Sequence, residues 1–202
     1  MKSQKSRIMK MGFKTCFLRC FVFLAIALVF VSCGMVKVVG YNNDYDELTE
    51  EQKGLVYDLD RFDRTEVGKV YKINPKLLKA ELRNHPKSLV YVFSRGCNSE
   101  ACKSLSYYVQ YAAKNGYTLF LVMKSYIAMP EALEQHLDCP LFVIDDDYFN
   151  EHRRFIYERY FTNEMMGLPR KTKYKNIPEN MQGNLLFFER DQLIKVSESL
   201  DD

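Results

Sequence analysis

The sequence predicts an α/β fold, a central mixed sheet flanked by helices, on three observations. Leu89 to Phe93, Tyr117 to Met123 and Pro140 to Ile144 are short continuous apolar runs rich in β-branched and aromatic residues, the pattern of strands covered on both faces. Segments with helical spacing of apolar residues separate these runs. Two last apolar runs, Leu185 to Phe188 and Leu193 to Val196, are joined by Glu189-Arg190-Asp191-Gln192, short enough for a hairpin. Strand, helix, strand, helix and terminal hairpin is an α/β order. A right-handed first crossover makes the strands at 89–93 and 117–123 parallel.

The elements follow in chain order. Residues 34–48, with Asn42, Asn43 and Asp44 as turn formers, read as a tether without apolar period. Thr49 and Gln52 fit a capping box that opens a short helix to about Leu59. Residues 67–73 fit a strand. Asn74-Pro75 supplies an N-cap and a first-turn proline for a helix to about Asn84, with Leu77, Leu78, Ala80 and Leu82 mostly on one face. Residues 49–85 are therefore read as an N-terminal helical extension ahead of a domain at 86–202. Within that domain, a helix from about Glu100 ends at Gly116. A short helix spans 130–137, and Asp145, Asp146 and Asp147 are placed to cap a long helix that runs to Gly167. Residues 168–183, with Arg170, Lys171, Lys173 and Lys175, form a polar loop read as solvated, with contact to an anionic membrane face as its other reading.

Composition sets the class. The 202 residues suit one domain with a short flanking piece, and 47% hydrophobic against 27% charged residues is globular. The formal charge of +3 misleads, because the first 32 residues carry six bases and no acid. The remaining 23 bases face 26 acids, a net of −3. Nothing in this balance suggests a nucleic-acid partner, which requires a basic face, and that class is set aside. No cofactor is called for.

The first 33 residues combine a basic start with the apolar run from Cys20 to Val31, twelve residues, too few for the roughly 20 that span a bilayer. They fit a signal-peptide apolar region. Phe30-Val31-Ser32-Cys33-Gly34 resembles the bacterial lipobox, with Phe30 where Leu is usual and a small residue before the cysteine. The resemblance implies a signal peptide at 1–32 and Cys33 as the acylated N-terminus, carrying fatty chains such as palmitate. The chain would then be a lipoprotein of the cell envelope facing the periplasm, its partner the lipid bilayer. Gly34 in place of Asp after the cysteine favours the outer membrane by the same analogy. An uncleaved anchor and a simple secretory signal are the other readings of this segment.

The most reactive position is the loop after the strand at 89–93. Arg95-Gly96-Cys97-Asn98-Ser99-Glu100-Ala101-Cys102-Lys103 puts two cysteines at the start of a helix, where the dipole and free amides stabilise a thiolate. A strand, a cysteine pair, Lys103 and an amphipathic helix resemble the thioredoxin superfamily. The Cys139-Pro140 strand, the long helix and the terminal hairpin look like its membrane-tethered periplasmic oxidoreductases. The resemblance covers about residues 86–198. It implies thiol–disulfide exchange with Cys97 as nucleophile, Cys102 as resolving thiol and envelope proteins as partners. The chain departs from the family in three places. Four residues separate the cysteines instead of two. Arg95-Gly96 stands where an aromatic usually precedes the first cysteine. Gly183-Asn184 occupies the position of the proline that opens the penultimate strand with a cis bond, and Pro178 lies six residues earlier.

The residues alone leave other readings open. Cys97 and Cys102 could form a structural disulfide in a non-catalytic binding or scaffold lipoprotein, or stay free or metal-bound. Cys139 reads as a buried inert thiol, or as a partner for either of them. His85, His136 and His152 all lie outside the loop before the terminal hairpin, so no metal site is expected. No ligand spacing around Asp145 to Asp147 supports calcium.

Overall fold

A computed structural model of the chain describes residues 41–95 and 103–200. Among them, seven strands form one sheet: β1 (Val56–Asp58), β2 (Val70–Ile73), β3 (Lys87–Phe93), β4 (Thr118–Met123), β5 (Leu141–Ile144), β6 (Leu185–Glu189) and β7 (Gln192–Ser197). Their spatial order is β1-β2-β5-β4-β3-β6-β7. The first five run parallel, β6 is antiparallel to β3, and β7 is antiparallel to β6. Five α-helices accompany them: α1 (Glu50–Lys53), α2 (Pro75–Leu82), α3 (Leu105–Asn115), α4 (Met129–Glu134) and α5 (Arg154–Met165).

Two apolar layers explain the continuous runs. Successive side chains of a strand point to opposite faces. Val90, Val92, Phe120, Val122, Phe142, Ile144, Leu186 and Phe188 pack with Leu78 and Leu82 of α2 and Tyr157, Phe161 and Met165 of α5. Phe93, Leu121, Met123, Leu141 and Val143 belong to a second layer with Leu105 of α3 and Met129 and Ala132 of α4. Both faces of β3, β4 and β5 are thus covered by helices, and a strand covered twice has no polar alternation. Val90, Val92, Leu119, Leu121, Leu186 and Phe188 share the one sheet, as the apolar runs predict.

Local signals hold at several ends. The capping box is complete: Gln52 N–H donates to Thr49 Oγ1 at 3.2 Å, and Thr49 N–H to Gln52 Oε1 at 3.0 Å. Asn74 Oδ1 accepts from Leu77 N–H at 3.1 Å, with Pro75 in the first turn. The hairpin turns at Arg190, whose φ is 54°.

Other expectations are corrected. The segment 49–85 is not a helical extension, because it contributes β1 and β2 to the same sheet. Helix α1 stops at Lys53, with Gly54 at its C-cap, and Val56, Tyr57 and Asp58 pair with Val70, Tyr71 and Lys72. Helix α3 starts at Leu105 with Ser104 as its N-cap, and Glu100, the expected helix start, lies outside the described residues. The aspartates do not cap α5, which starts at Arg154; Asp147–Phe149 form a 3-10 turn closed by Asn150 at φ 48°. Residues 41–48 are not a free tether. Asn43 C=O accepts from Tyr126 N–H at 2.9 Å, Tyr41 C=O accepts from Arg154 N–H at 2.8 Å, and Leu48 is buried. The Asn and Asp side chains that read as turn formers fold this stretch onto the body: Asn43 Oδ1 accepts from Tyr45 N–H at 3.1 Å, and its Nδ2 donates to Asp146 Oδ1 at 2.9 Å.

Candidate functional site

In open α/β sheets, ligands gather outside the carboxyl ends of parallel strands, where the chain turns to opposite sides of one strand. Strand β3 is that point here: the chain leaves it towards β4 and β5 on one side, and β6 and β7 lie on the other. Its carboxyl end is tied to β4 by Lys124 N–H, which donates to Phe93 C=O at 2.7 Å. Val92 N–H donates to Asn184 C=O at 2.9 Å on the other side.

A cleft of about 490 Å³ opens at this end. Tyr91 and Tyr108 form its aromatic wall, their rings stacked with centroids 4.1 Å apart. Arg95 and Lys103, the described residues that bound the cysteine segment, line it together with Glu131, Gln135, Asn184 and Glu198. Burial, and next its hydrogen bond with Tyr108, raises the Tyr91 pKa far above the usual phenol range. Tyr91 is therefore a hydrogen-bonding wall and not a base. Gln135 Oε1 accepts from Leu105 N–H at 2.8 Å and so caps the start of α3 from a distant segment.

Cys97 and Cys102 lie outside the described residues, as does Cys33. What the structure describes is the setting: two cations at the ends of the cysteine segment, an aromatic wall, and a helix start directly after Ser104. The described lining of the cleft balances these two cations with two acids, Glu131 and Glu198.

The residue opening β6 has a physical reason not to be proline. Asn184 N–H donates to Ser197 C=O at 3.1 Å, a bond proline cannot make. Gly183 has φ 150°, and a Cβ there would meet Ser197 O at 2.2 Å. Neither position therefore admits a proline ring, and no cis peptide occurs among the described residues.

A second cavity, about 660 Å³, shares Asn184 and Glu198 with the first and is bounded by α5 and the 168–183 loop. Asn163 of α5 is fully buried and pins that loop, its Nδ2 donating to the carbonyls of Arg170 at 2.8 Å and Thr172 at 2.9 Å. Arg170 is not simply solvated: it pairs with Glu164 and lies over the rings of Tyr148 and Phe149. Lys171, Lys173 and Lys175 are exposed.

Asp146, Asp147 and His152 bring ligand-type atoms within 4.8 Å of one another. Both oxygens of Asp146 already accept hydrogen bonds, from Asn43 Nδ2 and from His152 Nδ1 at 2.8 Å, so the cluster reads as a structural latch. His85 bonds Glu81 at 2.8 Å and Thr118 at 3.2 Å. Cys139 is a half-buried free thiol in a bend before β5; burial, then Asp138, raises its pKa.

Tyr91, Tyr108, Gln135 and Glu198 carry no motif; they meet only because the sheet brings their segments together. Asn163 did leave a signal, since it falls seven residues after Ile156 on the buried stripe of α5. Among the described residues no helix is long and apolar enough to cross a membrane. No protein-family model, curated protein or solved structure matches the chain.

Proposed function

We propose that the chain is a lipoprotein of the bacterial envelope, anchored through acylated Cys33, that exchanges thiol and disulfide on a thioredoxin-like arrangement of β3, α3, β4 and the β6–β7 hairpin. One observation carries this reading: Arg95 and Lys103, which bound the cysteine segment, line one cleft with the strand-opening Asn184 at the carboxyl end of β3. In the proposed reaction the Cys97 thiolate attacks one sulfur of a substrate disulfide, forming a mixed disulfide and releasing the other substrate sulfur as thiolate. The Cys102 thiolate then attacks Cys97 Sγ, and the first substrate sulfur departs. Two electrons pass to the substrate, and the chain keeps a Cys97–Cys102 disulfide. Reversal oxidises a dithiol. Arg95 and Lys103 favour the thiolate form of Cys97 by charge.

A second reading rests on the backbone at Gly183-Asn184, which excludes proline beside the cleft. Without that proline, capture of a substrate backbone weakens, and a binding or scaffold lipoprotein with a locked Cys97–Cys102 bond follows. The alkylation rate of reduced Cys97 against pH separates the two. An apparent pKa below the free-thiol value of about 8.5 supports exchange, and a value at or above it leaves the scaffold reading. Cys102→Ser should trap mixed disulfides with envelope proteins under the first reading and none under the second. The anchor is tested by metabolic labelling with a clickable fatty acid, which should mark the wild type and not Cys33→Ala.

A further inference from the structure

We infer that the surface formed by Tyr41, Phe155 and Tyr174 docks on an anionic lipid surface; this rests on the lipoprotein reading of the first 33 residues. Scattered exposed apolar side chains are ordinary, and clustered ones are not. Six large hydrophobic side chains are exposed among the described residues, and three of them gather here: Tyr41 at 53%, Phe155 at 59% and Tyr174 at 64%. The rings of Tyr41 and Phe155 are 6.4 Å apart, and Phe155 and Tyr174 border the same 660 Å³ cavity. Aromatic side chains with a polar tip, such as tyrosine, favour the headgroup level of a bilayer.

Charge and connectivity name the occupant. Lys171, Lys173 and Lys175 surround Tyr174 in one exposed loop, and none forms an ion pair among the described residues. Of the nearby acids, Glu151, Glu158 and Glu164 are held by Arg153, Arg154 and Arg170, which leaves Glu179 in the loop and Glu198 at the cavity. A lysine near an anionic bilayer shifts the docked-to-free ratio by about fivefold. Tyr41 is also eight residues from Cys33 in sequence, so the chain between them reaches at most about 27 Å. An acyl group on Cys33 would therefore keep this patch close to the bilayer. A soluble protein partner has no comparable link to it.

The absence of tryptophan makes the test direct. Full-length Phe155→Trp is reconstituted into vesicles of phosphatidylglycerol and phosphatidylcholine, some carrying bromine near the headgroup end of the acyl chains. Ile194→Trp, exposed on β7, is the control. Blue-shifted emission quenched by brominated lipid at position 155 and not at 194 is expected. The quenching should fall in neutral vesicles and in Lys171→Gln/Lys173→Gln/Lys175→Gln. Unquenched emission at 155 in vesicle-bound protein overturns the docking. A blue shift that follows protein concentration without quenching assigns the patch to a second copy and also overturns it. The mass of the Cys33 peptide is read separately: a bare cysteine removes the lipoprotein reading and leaves the quenching result intact.

Discussion

At the scale of single residues, two positions show how backbone and charge decide what the chain can accommodate. Gly183 sits at φ 150° with Ser197 O only 2.2 Å from where a Cβ would stand. Gly183→Ala should cost about 2–3 kcal/mol, read as a lower urea midpoint with unchanged slope. A wild-type midpoint would show that the β6 entry relaxes freely. His152 is the second case. Its hydrogen bond to Asp146, then the charge of that carboxylate, raises its pKa above the usual 6.5. The proton is thus held more tightly in the folded state, so the contribution is complete below about pH 6.5 and disappears as pH rises through the raised value. His152→Ala should therefore lower the melting temperature more at pH 5.5 to 6 than at pH 9. An equal loss at both would remove charge from the explanation. The sequence displayed its reactive residues at this scale but not their company. Cys97, Cys102 and the odd Gly183-Asn184 are visible in one dimension. The Tyr91–Tyr108 wall and Gln135 are not, because they converge from segments up to 44 residues apart along the chain.

At the scale of elements, starts and stops were legible where a side chain closes its own backbone. Thr49 and Asn74 do this, and both helices begin where those residues predict. Asn74→Ala should cost about 1 kcal/mol, measured by chemical denaturation, and a loss near zero would mean that tertiary contacts alone hold the first turn of α2. The aspartates at 145–147 misled because acids suit a helix start in general, whereas Asp146 spends both its oxygens on Asn43 and His152. Helix α5 holds a further test. Burial raises the Glu158 pKa above its usual 4.5 despite the nearby Lys124 and Arg154. The folded state then favours the protonated acid, so stability falls as pH rises from about 4.5 through the raised value. Glu158→Gln should raise the melting temperature at pH 7 and match the wild type near pH 4. A lower melting temperature at pH 7 would show that the pairing with Arg154 at 3.2 Å outweighs burial.

At the scale of the whole molecule, the decisive contact joins distant parts of the chain. Val70 to Ile73 pair with Leu141 to Ile144, so β2 lies between β1 and β5 and the N-terminal segment is part of the one sheet. Nothing local announces this pairing, since both strands are four residues long and the turn chemistry around them fits a separate extension equally well. What could be read was the burial of the central runs, because a strand covered on two faces must be apolar throughout. The topology carries a prediction about cooperativity. A segment hydrogen-bonded into the sheet and sharing its apolar layer, through Tyr71 and Ile73, should unfold with it. Tyr57→Trp on β1 and Ile194→Trp on β7 place single tryptophans at the two edges of the sheet, both on partly exposed side chains. Their fluorescence transitions in urea should have the same midpoint and slope, and far-ultraviolet circular dichroism should follow the same curve. If the β1 reporter melted at lower urea while circular dichroism still reported a folded majority, residues 49–85 would behave as a separate unit. The short β2–β5 ladder would then be too weak to couple it to the sheet.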